Sequence, residues 1–189
     1  MKNNNILIFL RHAETRKDNT LPIRQWRLTL EGKKMVEKFA ATGIFDQVDI
    51  IVSSQEIKAY HTALPFAKRL NKKVQIFTGL QEINRESGGI MSKEEYDKAK
   101  EKIFTNLDFS VHNWETAQQA LKRFKKAVEK IDSQHRNKKI LLTSHGTVMT
   151  LYFAFLNKDM KNLMKRWKSL GFCDYGVIFN NKVIKDITH

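Results

Sequence analysis

The stretch Ile6-Leu7-Ile8-Phe9-Leu10-Arg11-His12 decides the fold. Five apolar residues in a row suit a buried strand, and the polar residues behind them mark its exit at the rim of a sheet. The arrangement returns at Ile140-Leu141-Leu142-Thr143-Ser144-His145. If helices connect such strands, the strands run parallel and their C-terminal ends share one edge, where open α/β sheets bind ligands. Both imidazoles are expected at that edge.

Outward from these runs, strands and helices alternate. Thr29 is placed to cap a helix with Met35, Val36, Phe39 and Ala40 on one face. Asp49 to Ser53 reads as a second strand, Ile57 to Leu70 as a helix with Ala59, Ala63, Phe66, Ala67 and Leu70 inward, and Val74 to Phe77 as a third strand. Ser92 with Glu95 forms a capping box for a helix running toward Phe104. Ala117, Leu121, Phe124, Val128 and Ile131 step by four and three, the apolar stripe of a helix. Ile140 to Thr143 is the fourth strand and Val148 to Leu156 an apolar helix; Val177 to Phe179 and Val183 to Ile187 flank Asn180-Asn181 as a hairpin. The order predicts one domain over residues 1–189. Its class is α/β: a three-layer α/β/α sandwich with a mainly parallel central sheet and a C-terminal hairpin.

Composition agrees with such a domain. A chain of 189 residues is long enough for one substantial core. The hydrophobic share of 41% and charged share of 29% are too balanced for disorder. The single cysteine, Cys173, forms no intrachain disulfide, which suits a reducing compartment. The N-terminal apolar run is shorter than a signal-peptide core, and no run reaches membrane-spanning length. A cytoplasmic location and no membrane partner are expected, with the oligomeric state left open. The net charge of +14 is spread in pairs such as Lys33-Lys34, Lys72-Lys73, Lys125-Lys126 and Lys138-Lys139. That pattern reads as a solvated coat that steers small anions rather than a specific nucleic-acid surface.

Four polar groups should converge above the parallel strands: Arg11-His12, Ser53-Ser54 with Lys58, Glu82, and Ser144-His145-Gly146. Guanidinium and ammonium groups beside imidazoles make a host for a phosphate dianion. A helix starting after Gly146 adds backbone N–H groups. One neutral imidazole could attack phosphorus while the second, protonated, and the cations stabilise the equatorial oxygens. A carboxyl group would protonate the leaving oxygen. This is phosphoryl transfer through a phosphohistidine, needing no metal or other cofactor, on a small phosphorylated substrate.

These residues also carry a family resemblance. Arg11-His12-Ala13-Glu14-Thr15 resembles the Arg-His-Gly-Glu signature of the histidine phosphatase superfamily, whose fold is phosphoglycerate mutase-like. Leu28-Thr29-Leu30-Glu31-Gly32, Ser53 through Ala63, Leu80-Gln81-Glu82-Ile83 and Thr143-Ser144-His145-Gly146 resemble further motifs of that family in the expected order. The resemblance implies a phosphorylated nucleophile at His12, phosphate binding by Arg11 and His145, and a proton donor at Glu82, with Glu86 a near alternative. Lys58 stands where the family usually has arginine, and Arg85 is placed to supply the guanidinium from another loop. Lys58, Glu82, Arg85 and Trp114-Glu115-Thr116-Ala117 together resemble a poorly characterised branch. Asn19 loosely matches the asparagine often found after the first motif, and Asn19, Arg24 and Trp26 could line the substrate mouth.

Plainer readings stand beside these. Lys58 reads equally as an exposed helix lysine, and Arg85 as the partner of a nearby carboxylate. Glu82 could be a helix cap or ion-pair partner. His61, His112, His135 and His189 read as surface or core residues, and Trp26, Trp114 and Trp167 as packing. The implied activity is metal-independent hydrolysis of phosphate monoesters. The alternatives are a mutase-type phosphoryl transferase, a phosphate-ester or phosphoprotein-binding module, and a metal hydrolase using His12, His145 and Glu82, which Arg11 and Lys58 oppose by repelling a dication.

Overall fold

The computed structural model describes residues 3–89 and 91–187. Six strands form one sheet: β1 (Ile6–Arg11), β2 (Ile50–Ser53), β3 (Val74–Ile76), β4 (Lys139–Ser144), β5 (Tyr175–Phe179) and β6 (Lys182–Lys185). Its order is β3-β2-β4-β1-β5-β6. The first four are mutually parallel, while β5 runs antiparallel to β1 and β6 antiparallel to β5. Six helices accompany it: α1 (Leu30–Ala41), α2 (Ile57–Leu70), α3 (Lys93–Thr105), α4 (Ala117–Ser133), α5 (Gly146–Leu156) and α6 (Leu163–Ser169).

Alternation along β1 sorts the helices into two layers, because successive strand side chains point to opposite faces. Ile8 and Leu10 pack with Ile51 and Leu141 against Val36 and Ala40 of α1 and Ala63, Phe66 and Ala67 of α2. Leu7 and Phe9 pack with Val52, Ile140 and Leu142 against α3, α4, α5 and α6. This is the expected α/β/α sandwich. Helix α5 is buried from Gly146 to Ala154, so it lies inside its layer. No helix among the described residues is long and apolar enough to cross a membrane.

Several elements depart from the sequence expectations. Met35 is 40% exposed rather than inward, and α1 turns Val36 and Ala40 to the core instead. Helix α5 starts two residues early, because a carboxylate from another loop caps its first N–H groups. The last strand stops at Lys185, where Asp186 Oδ1 turns to accept from Arg166 and from the backbone N–H of Ile187. Helix α6 went unread; it is only 7 residues long and carries three basic residues. The hairpin turn is as expected, with Asn180 and Asn181 at φ 49° and 62°, the conformation of a type I′ turn.

One glycine sets the approach of α1 to the site. Thr29 caps α1 at Gly32 N, its own N–H donates to Glu14 O at 3.0 Å, and its hydroxyl donates to Glu14 Oε2 at 2.8 Å. A Cβ on Gly32 would sit 2.3 Å from Glu14 O, a backbone atom two residues past His12. Gly32→Ala is therefore expected to destabilise by about 1–3 kcal/mol as overpacking outweighs the better helix propensity. Thermal melting of the variant checks this, and an unchanged or raised Tm would show that the segment after His12 can move.

Candidate active site

Register brings the histidines together. Arg11 pairs with Ser144, and the ladder runs one step further as His12 N donates to Ser144 O at 2.9 Å and Ser54 N to Thr143 O at 3.0 Å. The residues after β1, β2 and β4 thus share one rim, with the His12 and His145 ring centroids 5.3 Å apart. A cavity of about 580 Å³ opens beside them, lined among others by Arg11, His12, Lys58, Glu82, Arg85 and Gly146.

His12 is 8% exposed, and its Nδ1 lies 2.8 Å from Ala13 O and 3.2 Å from Thr15 Oγ1. A carbonyl can only accept, so Nδ1 carries the proton and the Nε2 lone pair is left for other work. Burial, then the charges of His145, Lys58 and Arg11, hold the imidazole well below its ordinary pKa, so it is neutral. His145 is fully buried; its Nε2 is 2.8 Å from Ser54 Oγ and 3.5 Å from Glu56 Oε1. Its Nδ1 is buried and makes no hydrogen bond among the described residues. Burial and Lys58 also push its pKa well below the ordinary value, against the opposing pull of Glu82. The second imidazole is therefore neutral in the resting site, not protonated as the sequence reading had it.

Arg11 donates through Nη1 to Leu170 O, and its Cζ stands 4.6 Å from the Phe172 ring centroid. Its Nε is buried with no hydrogen bond among the described residues. Gly146 makes room for it: a Cβ there would lie 3.2 Å from Arg11 Nε.

Lys58 is neither an exposed helix lysine nor a free phosphate ligand. It is 4% exposed on the cavity wall, paired with Glu56 Oε2 and donating to Ile23 O at 3.1 Å. Two of its three donors are used, leaving one for a ligand. Glu56, missed from sequence, starts α2; its Oε1 also accepts from Glu82 N at 2.7 Å. A glutamate two residues before the unusual lysine was the available signal.

The Glu82 carboxylate spans the start of α5, accepting from Thr147 N at 3.0 Å, Val148 N at 3.2 Å and Ile83 N at 2.9 Å. Burial alone would raise its pKa, but Lys100, His145 and these N–H groups win and hold it at about 2. Glu86 is occupied elsewhere, accepting from Ile23 N and Arg24 N at 3.0 Å each, which clasps the mouth loop. Arg123, also missed, fastens the Glu82 loop by donating to Gly79 O, Gln81 O and Glu82 O and pairing with Glu115. Its signal was an arginine nearly two turns into α4, beside the apolar stripe.

Arg85 forms no ion pair among the described residues and sits over the rings of Tyr96, Trp26 and Trp114 at 4.8, 5.6 and 6.0 Å. Trp26 and Trp167 line the cavity rather than only packing, while Trp114 is 2% exposed. Asn19 is corrected: it is exposed and does not line the cavity. Asp18 turns the loop there by accepting from Thr20 N, and Trp26 Nε1 holds Asp18 O at 2.8 Å, so Asn19 is left at the tip. Arg24 does line the mouth; His61, His112 and His135 do not, and His189 lies outside the described residues. Among the described residues no group of three or more His, Cys, Asp or Glu is disposed to hold a metal ion.

Acid should weaken the fold through these groups. The unfolded chain binds protons at its histidines below about pH 6.5, and at Glu82 below about 4.5, where the folded site refuses them. Stability is present above those values and lost as pH falls toward the folded ones. Urea unfolding at pH 7 and pH 5 is expected to give a lower midpoint at pH 5; equal midpoints would mean that the buried imidazoles protonate in place.

Known proteins share this architecture. The family model described as "Histidine phosphatase superfamily (branch 1)" matches residues 7–173. A native mycobacterial glucosyl-3-phosphoglycerate phosphatase superposes with a TM-score of 0.77 at 17% identity, over 97% of this chain and 99% of that one. Bacillus stearothermophilus YhfR gives 0.79 at 17% identity, covering 98% of each chain. An Entamoeba histolytica phosphoserine phosphatase variant bound to phosphoserine gives 0.73 at 23% identity, over 93% of this chain and 96% of that one. No curated protein sequence matches. The family match runs from β1 through the loop preceding β5 and takes in both histidine motifs, so the chain belongs to the histidine phosphatase superfamily.

Proposed function

We propose that the protein is a phosphatase that hydrolyses small phosphate monoesters through a phosphohistidine on His12. The observation that carries this reading is the pair of neutral, touching imidazoles, with His12 Nδ1 tied to Ala13 O and Nε2 left as a nucleophile. With Ser54 Oγ, which accepts from Glu56 N, donating in turn to His145 Nε2, the ring's proton sits on Nδ1; Arg11 Nε and His145 Nδ1 are then two buried donors with no hydrogen bond among the described residues, and they suit the oxygens of a phosphoryl group. Family membership and the phosphatase names of the structural relatives support the same class.

The chemistry balances without a metal. An ester arriving as its monoanion hands its proton to Glu82, whose affinity for it rises beside the new negative charge. His12 Nε2 then attacks phosphorus; the N–P bond forms, the P–O bond to the leaving group breaks, and that oxygen takes the proton from Glu82. In the second half water attacks phosphorus, Glu82 takes the water's proton, the N–P bond breaks, and Glu82 returns the proton to the departing phosphate, which restores the carboxylate. The cavity walls, with Arg85 and Lys58, bind the rest of the ester and its oxygens.

Glu82→Gln should slow alkyl phosphates by about 10²–10⁴-fold and aryl phosphates, whose leaving oxygen needs no proton, far less. Equal losses would put the acid elsewhere. Because His12 stays neutral well below pH 6.5, kcat/KM for an alkyl phosphate should not fall as pH drops through that value. It should instead decline above about pH 6, where the ester loses its second proton. A rate that climbs with pH through 6.5 would contradict the resting state described here.

A further inference from the structure

Among the described residues, one fully buried cation plays no part in the reaction above. Lys100, in the middle of α3, is fully buried. Its Nζ stands 5.1 Å from the ring centroid of Tyr96, 5.8 Å from those of Trp114 and Trp167, and 5.9 Å from that of Phe104. Its hydrogen-bond partner is Thr147 Oγ1. An ammonium held among rings with one hydroxyl is a costly arrangement unless a negative charge lies close by. That charge is Glu82: the same Thr147 that accepts from Lys100 donates its backbone N–H to Glu82 Oε2 at 3.0 Å. Lys100 is not among the residues that line the cavity.

We propose that Lys100 is a positioning residue which, from behind the cavity wall, keeps Glu82 latched as a carboxylate on the first turn of α5. It thereby biases the enzyme toward phosphate esters whose leaving group departs without a proton, such as phenolic, enolic or acyl phosphates. The inference rests on the phosphohistidine reading. Other titratable and charged groups also face Glu82: the neutral His145 ring at the start of α5, Arg11 from β1, Glu56 from the start of α2, and Arg123 from α4 on its backbone carbonyl. Of the cations, Lys100 acts on the carboxylate most strongly. Arg11 is committed to the phosphoryl oxygens, and Arg123 is neutralised by Glu115.

Lys100→Met keeps the length of the side chain and suits an aromatic cage, so the fold should survive. Without the ammonium, Glu82 accepts a proton more readily, and each unit of that change multiplies its protonated fraction about tenfold. The expected result is a rise of about tenfold in the alkyl-to-aryl phosphate ratio of kcat/KM, with the alkaline limb of kcat for the alkyl ester moved to higher pH. In a Glu82→Gln background the substitution should change neither quantity. Lys100→Gln, which keeps a donor for Thr147 but not the charge, gives the same readout should the methionine variant misfold. A lysine that merely fills space would lower both rates together and leave the limb in place, overturning the proposal. His12→Ala run in parallel separates the failures: if it still turns over, the phosphohistidine reading falls, and if it is inactive with the Lys100→Met limb unmoved, only the role of Lys100 falls.

Discussion

His12→Ala should abolish turnover, by on the order of 10⁴-fold or more, while the protein stays folded. The loss is large because no neighbouring group can take over. His145 is fully buried, with Nε2 engaged by Ser54. The fold should persist because the ring sits at the rim of the sheet, where its loss frees only the Ala13 carbonyl and the Thr15 hydroxyl, both able to bind water. The assay is release of p-nitrophenol from its phosphate, with circular dichroism on the same sample. A second readout is independent of turnover: brief acid-free quenching of the wild type with labelled ester should leave an alkali-stable, acid-labile phosphoryl group, absent from the variant. Retained turnover, or a label that survives the substitution, would remove His12 from the mechanism.

The position of that histidine was legible because it depends on pattern. Apolar runs at β1 and β4 set strands, the helices between them set direction, and parallel strands place Arg11-His12 and Ser144-His145 on one rim with no further information. The capped helices were legible for the same local reason, since Thr29 at Gly32 and Ser92 with Glu95 satisfy N–H groups within one turn. What escaped depends on residues far apart in the chain. The start of α5 is set by Glu82, more than sixty positions earlier, reaching Thr147 and Val148. Asn19 was misplaced because Trp26 and Asp18 fold the loop by side-chain bonds that no periodicity encodes. Glu56, Arg123 and Lys100 look on paper like ordinary surface charges. Their burial follows only from which of them find partners across elements.

Lys58→Met should be the most damaging single change to stability, costing about 3–5 kcal/mol out of a total that for a domain is about 5–15 kcal/mol. Both members of the Lys58–Glu56 pair are buried, with side chains 5% and 7% exposed. Removing the ammonium leaves the Glu56 carboxylate inside the protein with only the Glu82 N–H and the neutral His145 edge for company. An unpaired buried charge costs more than the pair ever contributes, so most of the effect is the stranded carboxylate. The double variant Lys58→Met with Glu56→Leu should therefore be more stable than Lys58→Met alone. It should not regain the wild-type value, because the Glu82 N–H then lacks its acceptor, a loss of about 1–3 kcal/mol. Lys58→Arg retains the charge and should stay closer to the wild type than either. Urea midpoints of the four proteins measure this cycle. A Lys58→Met midpoint within about 1 kcal/mol of wild type would mean that water reaches Glu56. The pair would then be an exposed one, and the lysine standing in place of the family's arginine would be free to meet the phosphoryl group directly.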